Sequence, residues 1–314
     1  MLKSKLCQLL GIEYPIIQGG MAHVADGKLA AAVSAGGGLG LIGAGNAPGD
    51  WVREQIRVAA SLTDKPFGVN IMLLSPFVKE VAQVVAEEKV RVVTTGAGNP
   101  SRYMESWKAA GIFVIPVVPS VSMTKLVVRA GADAVIAEGG ESGGHVGELT
   151  TMVLVPQVCD VAGVPVIAAG GIADGRGLAA AFMLGACAAQ IGTRFLSAYE
   201  CGIHPLYKEK ILAATDIATI TTGKRLGHPV RSLKSPFSRA FYKAEYSDMS
   251  DEDLEAMGVG ALALAVREGD WQRGSFLAGQ SAGMVKKEQP AAEIIREICE
   301  EAEPLLKGAG AWVE

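Results

Sequence analysis

Along the first two-thirds of the chain, short apolar, β-branched runs alternate with segments that carry alanine and charge at helical spacing. The runs are Pro15–Met21, Gly38–Gly43, Pro66–Met72, Val90–Thr95, Ile112–Val118, Ala132–Ala137, Val164–Ala169 and Ala186–Gly192, eight in all. Between them Lys28–Ala35, Asp50–Leu62, Phe77–Lys89, Ser101–Ala110, Ser122–Ala130, Met152–Val161 and Gly177–Leu184 read as helices. Strands that are apolar on both faces, with a helix in every gap, belong to a parallel sheet covered by those helices. Eight such units in roughly 180 residues predict a compact (β/α)8 TIM barrel. An open doubly wound sheet is the alternative, because strand number alone does not prove closure.

After Phe195 the rhythm breaks. His204–Ala214 reads as a helix, Ile217–Thr222 as a strand, and Gly223–Tyr246 as irregular and basic. Ser250-Asp-Glu-Asp places a carboxylate three residues after a serine, which signals a helix start. Gly258–Gly269 continues as helix, Gln272–Gly283 is a Gly-rich loop, and Pro290–Leu306 is an amphipathic helix. The expected organisation is a barrel over residues 1–200, an inserted C-terminal cap subdomain over 201–288, and a closing helix over 289–314.

Composition narrows the class without naming a function. The chain has 314 residues, 49% apolar and 20% charged, an ordinary globular balance. Its net charge of −4 gives no global attraction to nucleic acid, so an anionic partner would need a local basic patch. The five cysteines are scattered and show no CxxC spacing, which argues against a disulfide framework or a zinc site. With no long apolar core in MLKSKLCQLLGIEYP, the expectation is a cytoplasmic protein.

The 39 glycines exceed the usual share of about 7% and cluster at strand ends. One cluster misleads: Gly38-Leu-Gly-Leu-Ile-Gly43 matches G-x-G-x-x-G, but a helix precedes it and the glycines lie in the strand itself. A dinucleotide fingerprint needs the opposite order. In a βα barrel, ligands gather at the C-terminal strand ends, and phosphates bind in the loops after strands seven and eight. Those loops here contain Ala169, Gly170 and Gly171, then Gln190, Gly192 and Thr193, with backbone N–H groups little obstructed by side chains. Gln18, Gly19, Gly20 and Met21 close the first strand, where backbone could lie against a planar ring. Asn70, Thr94 and Glu138 add polar groups at other strand ends. Ala137-Glu-Gly-Gly-Glu-Ser-Gly-Gly-His-Val-Gly147 brings His145 to the same rim, beside Gly143 and Gly144, as a candidate proton donor or acceptor. Phosphate at one side and open backbone at the other describe a site for flavin mononucleotide, FMN.

These residues carry a family resemblance. Pro15-Ile-Ile-Gln-Gly-Gly-Met21, Pro66-Phe-Gly-Val-Asn70, Val92-Val-Thr-Thr-Gly-Ala-Gly98, Ala134-Val-Ile-Ala-Glu138, Gly143-Gly-His-Val-Gly147 and Pro165-Val-Ile-Ala-Ala-Gly-Gly-Ile-Ala-Asp-Gly175 resemble the FMN-dependent enoyl-acyl-carrier-protein reductase II (FabK type). The same strings are similar to the wider superfamily of nitronate monooxygenases (2-nitropropane dioxygenase-like). Asn70-Ile-Met-Leu-Leu-Ser-Pro-Phe77 and Thr95-Gly-Ala-Gly-Asn-Pro100 resemble the reductase branch more closely, whereas His23 stands where such reductases tend to carry tryptophan. The resemblance implies hydride transfer from NADH or NADPH through FMN to a trans-2-enoyl thioester. It also implies His145 as the group that polarises the carbonyl or relays a proton, a monovalent cation requirement and a homodimer. Nitronate oxidation, in which the matching histidine removes a proton from the nitroalkane, and NAD(P)H:quinone reduction are the alternatives.

Charge in the cap adds an expectation about the partner. Between Ile217 and Ala244 there is no acidic residue, while Lys224, Arg225, Arg231, Lys234, Arg239 and Lys243 are basic. Such a face suits an acidic acyl carrier protein, and Lys224, Arg225 and Arg231 are the candidate contacts. Gln280 and Ser281, in the Gly-rich loop of the cap, are further candidates for contact with the cofactor.

Overall fold

The computed structural model describes Leu2 and residues 4–312. Its strands are β1 (Ile16–Gln18), β2 (Gly40–Gly43), β3 (Phe67–Met72), β4 (Val92–Gly96), β5 (Phe113–Val118), β6 (Val135–Glu138), β7 (Gly144–His145), β8 (Val166–Ala169), β9 (Ala188–Ile191), β10 (Thr219–Thr222) and β11 (Val230–Leu233). Eight of them form a parallel sheet in the order β1-β9-β8-β6-β5-β4-β3-β2. A bridge from Ile17 to Leu39 joins its two ends. There the Gln18 N–H donates to the Leu39 carbonyl, and the Leu39 N–H to the Ile16 carbonyl, each at 2.9 Å. The sheet therefore closes into a (β/α)8 barrel, and the open alternative is excluded.

Alternation along the strands makes two apolar layers. Ile17, Leu41, Val92, Ile115, Ile136, Ile167 and Ala188 fill the barrel interior. Ile16, Ile42, Val93, Val114, Val135, Val166 and Ala189 face the surrounding helices. Leu6 and Leu10 join the inner layer from a helix over Lys5–Leu10, which the hydrophobic pattern did not reveal. Ser4 caps that helix, and its Oγ donates to the Cys187 carbonyl at the N-terminal end of β9. The helix is thus a plug at the floor of the barrel; each leucine it buries contributes roughly 1.5–3 kcal/mol.

The misleading glycines have a packing explanation. A Cβ on Gly40 would stand 1.9 Å from the Ala30 carbonyl oxygen of the helix Gly27–Ala35. The motif lets that helix lie directly against β2, so its glycines serve packing.

Beyond the last barrel strand, in the stretch read from sequence as a cap, the chain adds a second, three-stranded sheet. β10 and β11 are an antiparallel hairpin, and β11 pairs in turn with β7. The stretch Gly223–Tyr246 is not irregular, as its sequence suggested: it holds β11 and a helix over Pro236–Glu245. Ser235 and Ser238 form a reciprocal cap and Pro236 occupies the first turn, start signals that the basic composition obscured. Ser250 caps the helix Asp251–Gly258 as expected, accepting from the Asp253 N–H. The final helix, Ala291–Gly308, packs on the helices Gly175–Met183 and Gly27–Ala35 and fills the outer ring beside β9 and β1. Among the described residues no helix is long and apolar enough to cross a membrane.

Candidate active site

At the C-terminal end of the barrel lies a cavity of about 410 Å³, within the range of roughly 300–1,000 Å³ that small-molecule sites occupy. Gly19, Gly20, Met21, Asn70, Glu138, Gly143, Gly144, His145, Ala169, Gly170, Gly171, Gln190, Gly192, Thr193 and Ser281 all line it. Gln18, Thr94 and Gln280 do not. The Gln18 amide serves the backbone instead, with Oε1 accepting from the Leu41 N–H at 3.1 Å and Nε2 donating to the Gly19 carbonyl. Thr94 is buried and accepts from Asn70 Nδ2 at 2.8 Å, so it orients a lining amide from behind. Gln280 is exposed, and its backbone N–H donates to the Glu141 carbonyl.

One wall is rich in donors. Among the described residues, the backbone N–H groups of Gly170, Gly171, Gly192 and Thr193 donate to no protein acceptor. They follow β8 and β9, and the last two open a short 3-10 helix over Thr193–Ser197. Thr193 Oγ1 accepts from the Gly279 N–H at 2.9 Å and keeps its own proton free for donation. Thr193 is buried and the three glycines are half-buried; unpaired N–H groups converging on a cavity suit an anion. Beside them the Gln190 side-chain oxygen is buried without any partner. An orphaned acceptor facing a cavity calls for a ligand donor.

The Gly-rich segment after β6 is tied from four directions. The Glu141 carboxylate accepts from the Thr151 N–H at 2.9 Å, at the N-terminus of the helix Thr151–Ala162. Arg231 donates from Nε and Nη2 to the Gly140 carbonyl at 3.2 and 2.8 Å. The Gln280 N–H holds the Glu141 carbonyl, and β7 pairs Val230 with His145 and Arg231 with Gly144. A Cβ at Gly143 would strike the Ala278 carbonyl carbon at 2.6 Å, so the returning loop lies directly on this segment. His145 is consequently positioned by the cap sheet, with its ring open at the cavity mouth.

Although His145 is exposed at the mouth, the protein packed around its ring lowers its pKa, and the nearby His228 lowers it further, which favours the neutral imidazole at pH 7. Burial acts the other way on Glu138, raising its carboxyl to about 7. Residual exposure of Glu138 is to the cavity that it lines.

The hydrophobic pattern did not find the apolar half of the lining. Met72, Val117, Pro119, Met123, Leu262 and Leu277 enter the cavity from elements far apart in sequence. Tyr207 also lines it, fully buried, donating its hydroxyl to the Leu277 carbonyl at 2.7 Å. Ala97, another lining residue, adopts φ 56, a backbone conformation that costs a residue with a side chain on the order of 1 kcal/mol or more. His23 is exposed and outside the lining, while its neighbours Ala22 and Val24 contribute to it. Of the candidate partner contacts, Arg225 is consumed locally by Asp251 and by the carbonyls of Glu245, Ser247 and Met249. Arg231 is turned inward as described, and Lys224 is exposed.

A family model described as nitronate monooxygenase matches residues 3–88 and 75–301. The structure of FabK from Thermotoga maritima is 50% identical, with a TM-score of 0.97 and 100% of both chains covered. A nitroalkane oxidase from Streptomyces ansochromogenes is 28% identical at a TM-score of 0.86, with 97% of this chain and 99% of its own covered. In Mycobacterium tuberculosis, (3aS,4S,5R,7aS)-5-hydroxy-7a-methyl-1-oxo-octahydro-1H-indene-4-carboxyl-CoA dehydrogenase is 31% identical over 353 aligned positions, covering 100% of this chain and 99% of its own.

Proposed function

The chain belongs to the nitronate monooxygenase family of oxidoreductases, and we propose that within it this protein is an FMN-dependent enoyl-thioester reductase using NADH or NADPH. The observation that carries this reading is the full-length likeness to FabK at 50% identity. The M. tuberculosis relative, whose name specifies a carboxyl-CoA, adds a second thioester.

The residues of the cavity fit FMN. The four free N–H groups at Gly170, Gly171, Gly192 and Thr193 suit its phosphate. The orphaned Gln190 oxygen suits a ring or ribityl donor, and the Glu138 carboxyl suits a hydroxyl. A Cβ at Gly20 would collide with Asn70 Cβ at 2.1 Å, so the end of β1 packs directly against Asn70, and the bare backbone of Gly19 and Gly20 in the cavity lining suits a flat ring. When bound, FMN supplies the hydride relay between the nicotinamide and the β-carbon of the enoyl thioester.

The remaining chemistry belongs to the protein. Reduction adds a proton at the α-carbon and gathers charge on the thioester oxygen. The neutral His145 imidazole carries one N–H, which can hydrogen-bond that oxygen or deliver the proton. The apolar group formed by Val117, Pro119, Met123, Leu262 and Leu277 would receive the acyl chain and keep water from the reacting carbons.

A second reading, nitronate oxidation, is favoured by the family model and by the nitroalkane oxidase. It would use the same histidine to remove a proton. Purified protein that releases FMN on acid treatment, and oxidises NADH or NADPH anaerobically only when crotonyl thioester is added, supports the reductase. Nicotinamide oxidation that ignores the enoyl substrate would remove it.

A further inference from the structure

The helix Pro236–Glu245 has two faces of opposite character. Inward it buries Ser238, Phe241 and Glu245. Glu245, its only acid, accepts from the backbone N–H groups of Gly223 and Arg225 at 3.0 and 2.8 Å. Outward it shows Arg239, Tyr242 and Lys243, continued by Tyr246, all exposed. Positions three, four and seven apart share one helix face. The two tyrosines, 42% and 67% exposed, lie with ring centroids 4.9 Å apart. Arg239 and Lys243 form no ion pair or side-chain hydrogen bond among the described residues, and neither does Lys224 at the adjacent turn.

This stripe is joined to the cavity mouth by backbone. Glu245 ties the helix to the turn between β10 and β11. The same hairpin holds His145 by the Val230 pairing, and its Pro229 carbonyl accepts from the Val146 N–H at 3.0 Å. On a chain of net charge −4, three unpaired cations with two exposed aromatic rings form a local patch of the opposite sign. Exposed tyrosine beside cationic side chains is the composition of a binding surface. The acidic helix Asp251–Gly258 borders the patch and would repel an acidic partner that strayed beyond it.

We propose that Lys224, Arg239, Tyr242, Lys243 and Tyr246 form the docking surface for an acidic carrier protein that presents the enoyl thioester to the cavity. The assignment rests on the reductase reading and replaces Arg225 and Arg231, which the cap uses internally. Its test is the double substitution R239E/K243E, at exposed positions. The KM for enoyl thioester on an acidic acyl carrier protein should rise about tenfold or more, with kcat unchanged. The KM for the same chain on pantetheine, which carries no carrier protein, should stay the same. Direct binding of the carrier protein by fluorescence anisotropy should weaken in parallel, and binding to the unsubstituted protein should weaken as salt is raised. A second variant, Y242A/Y246A, should weaken carrier binding and leave its salt dependence in place.

Equal KM changes on both substrates, or unchanged carrier binding in R239E/K243E, would overturn the docking surface. A change in oligomeric state with either variant would assign the face to a second copy of the chain and also overturn it. The underlying reading fails separately. If the unsubstituted protein binds carrier in a way R239E/K243E loses, yet reduces neither thioester, the surface stands and the reductase does not.

Discussion

Glu138 offers a prediction that needs no substrate. Its carboxyl is forced up to about 7, because burial strips hydration from the charged form. In the unfolded chain the same group titrates near 4.5. Between those values the folded state binds the extra proton, so the relative stability is complete below 4.5. It is lost as pH rises through 7. A shift of that size corresponds to about 3 kcal/mol at alkaline pH, of which roughly 2 kcal/mol develops between pH 5 and pH 8. Glu138→Gln keeps the shape and removes the charge. Chemical unfolding of the cofactor-free protein and the variant, followed at pH 5 and pH 8, isolates this effect. The stability of the variant relative to its parent should grow by about 2 kcal/mol on going to pH 8. A difference that does not change with pH would show that the carboxyl is well solvated, and the cavity would then be more open than the account requires.

Further perturbations address other parts of the structure. His145→Ala should leave FMN bound and slow enoyl reduction by about 10²-fold or more; undiminished turnover would remove the imidazole from the mechanism. In an NMR titration, His145 should ionise below the usual histidine range, and His228→Ala should move it part of the way back up, because burial remains. No movement would deny the coupling between the two rings. Gly40→Ala forces a Cβ into the Ala30 carbonyl at 1.9 Å and should cost about 3 kcal/mol or more by thermal denaturation, unlike a phosphate-loop mutation, which would affect binding first. Arg231→Ala leaves the Gly140 carbonyl short of its donors, a loss of about 1–3 kcal/mol, and should raise KM through a looser His145 segment.

What the sequence made legible follows from how each feature is encoded. The barrel strands are buried on both faces and most stop at or just before a glycine, so their signal is local and repeated. The glycines and His145 sit at strand ends, where the barrel's own geometry says that ligands gather. Gln18 and Thr94 show the limit of that rule: both are polar at strand ends, but their side chains bond to Leu41 and Asn70 and stay out of the cavity. The plug helix Lys5–Leu10 is too short to show a period, and only its burial of Leu6 and Leu10 explains it. Met123, Tyr207, Leu262 and Leu277 meet only after folding, so no local spacing could group them. The local use of Arg225 was equally hidden, because composition counts its charge and not the Asp251 and carbonyl groups that engage it.

The central claim is that this member of the nitronate monooxygenase family acts on enoyl thioesters. A direct comparison of kcat/KM measures it: crotonyl thioester with NADH or NADPH under anaerobic conditions, against propyl-2-nitronate in air without nicotinamide. The account predicts a clear preference for the thioester and a collapse of that rate in His145→Ala. Efficient, oxygen-dependent turnover of the nitronate with no reduction of the thioester would contradict it.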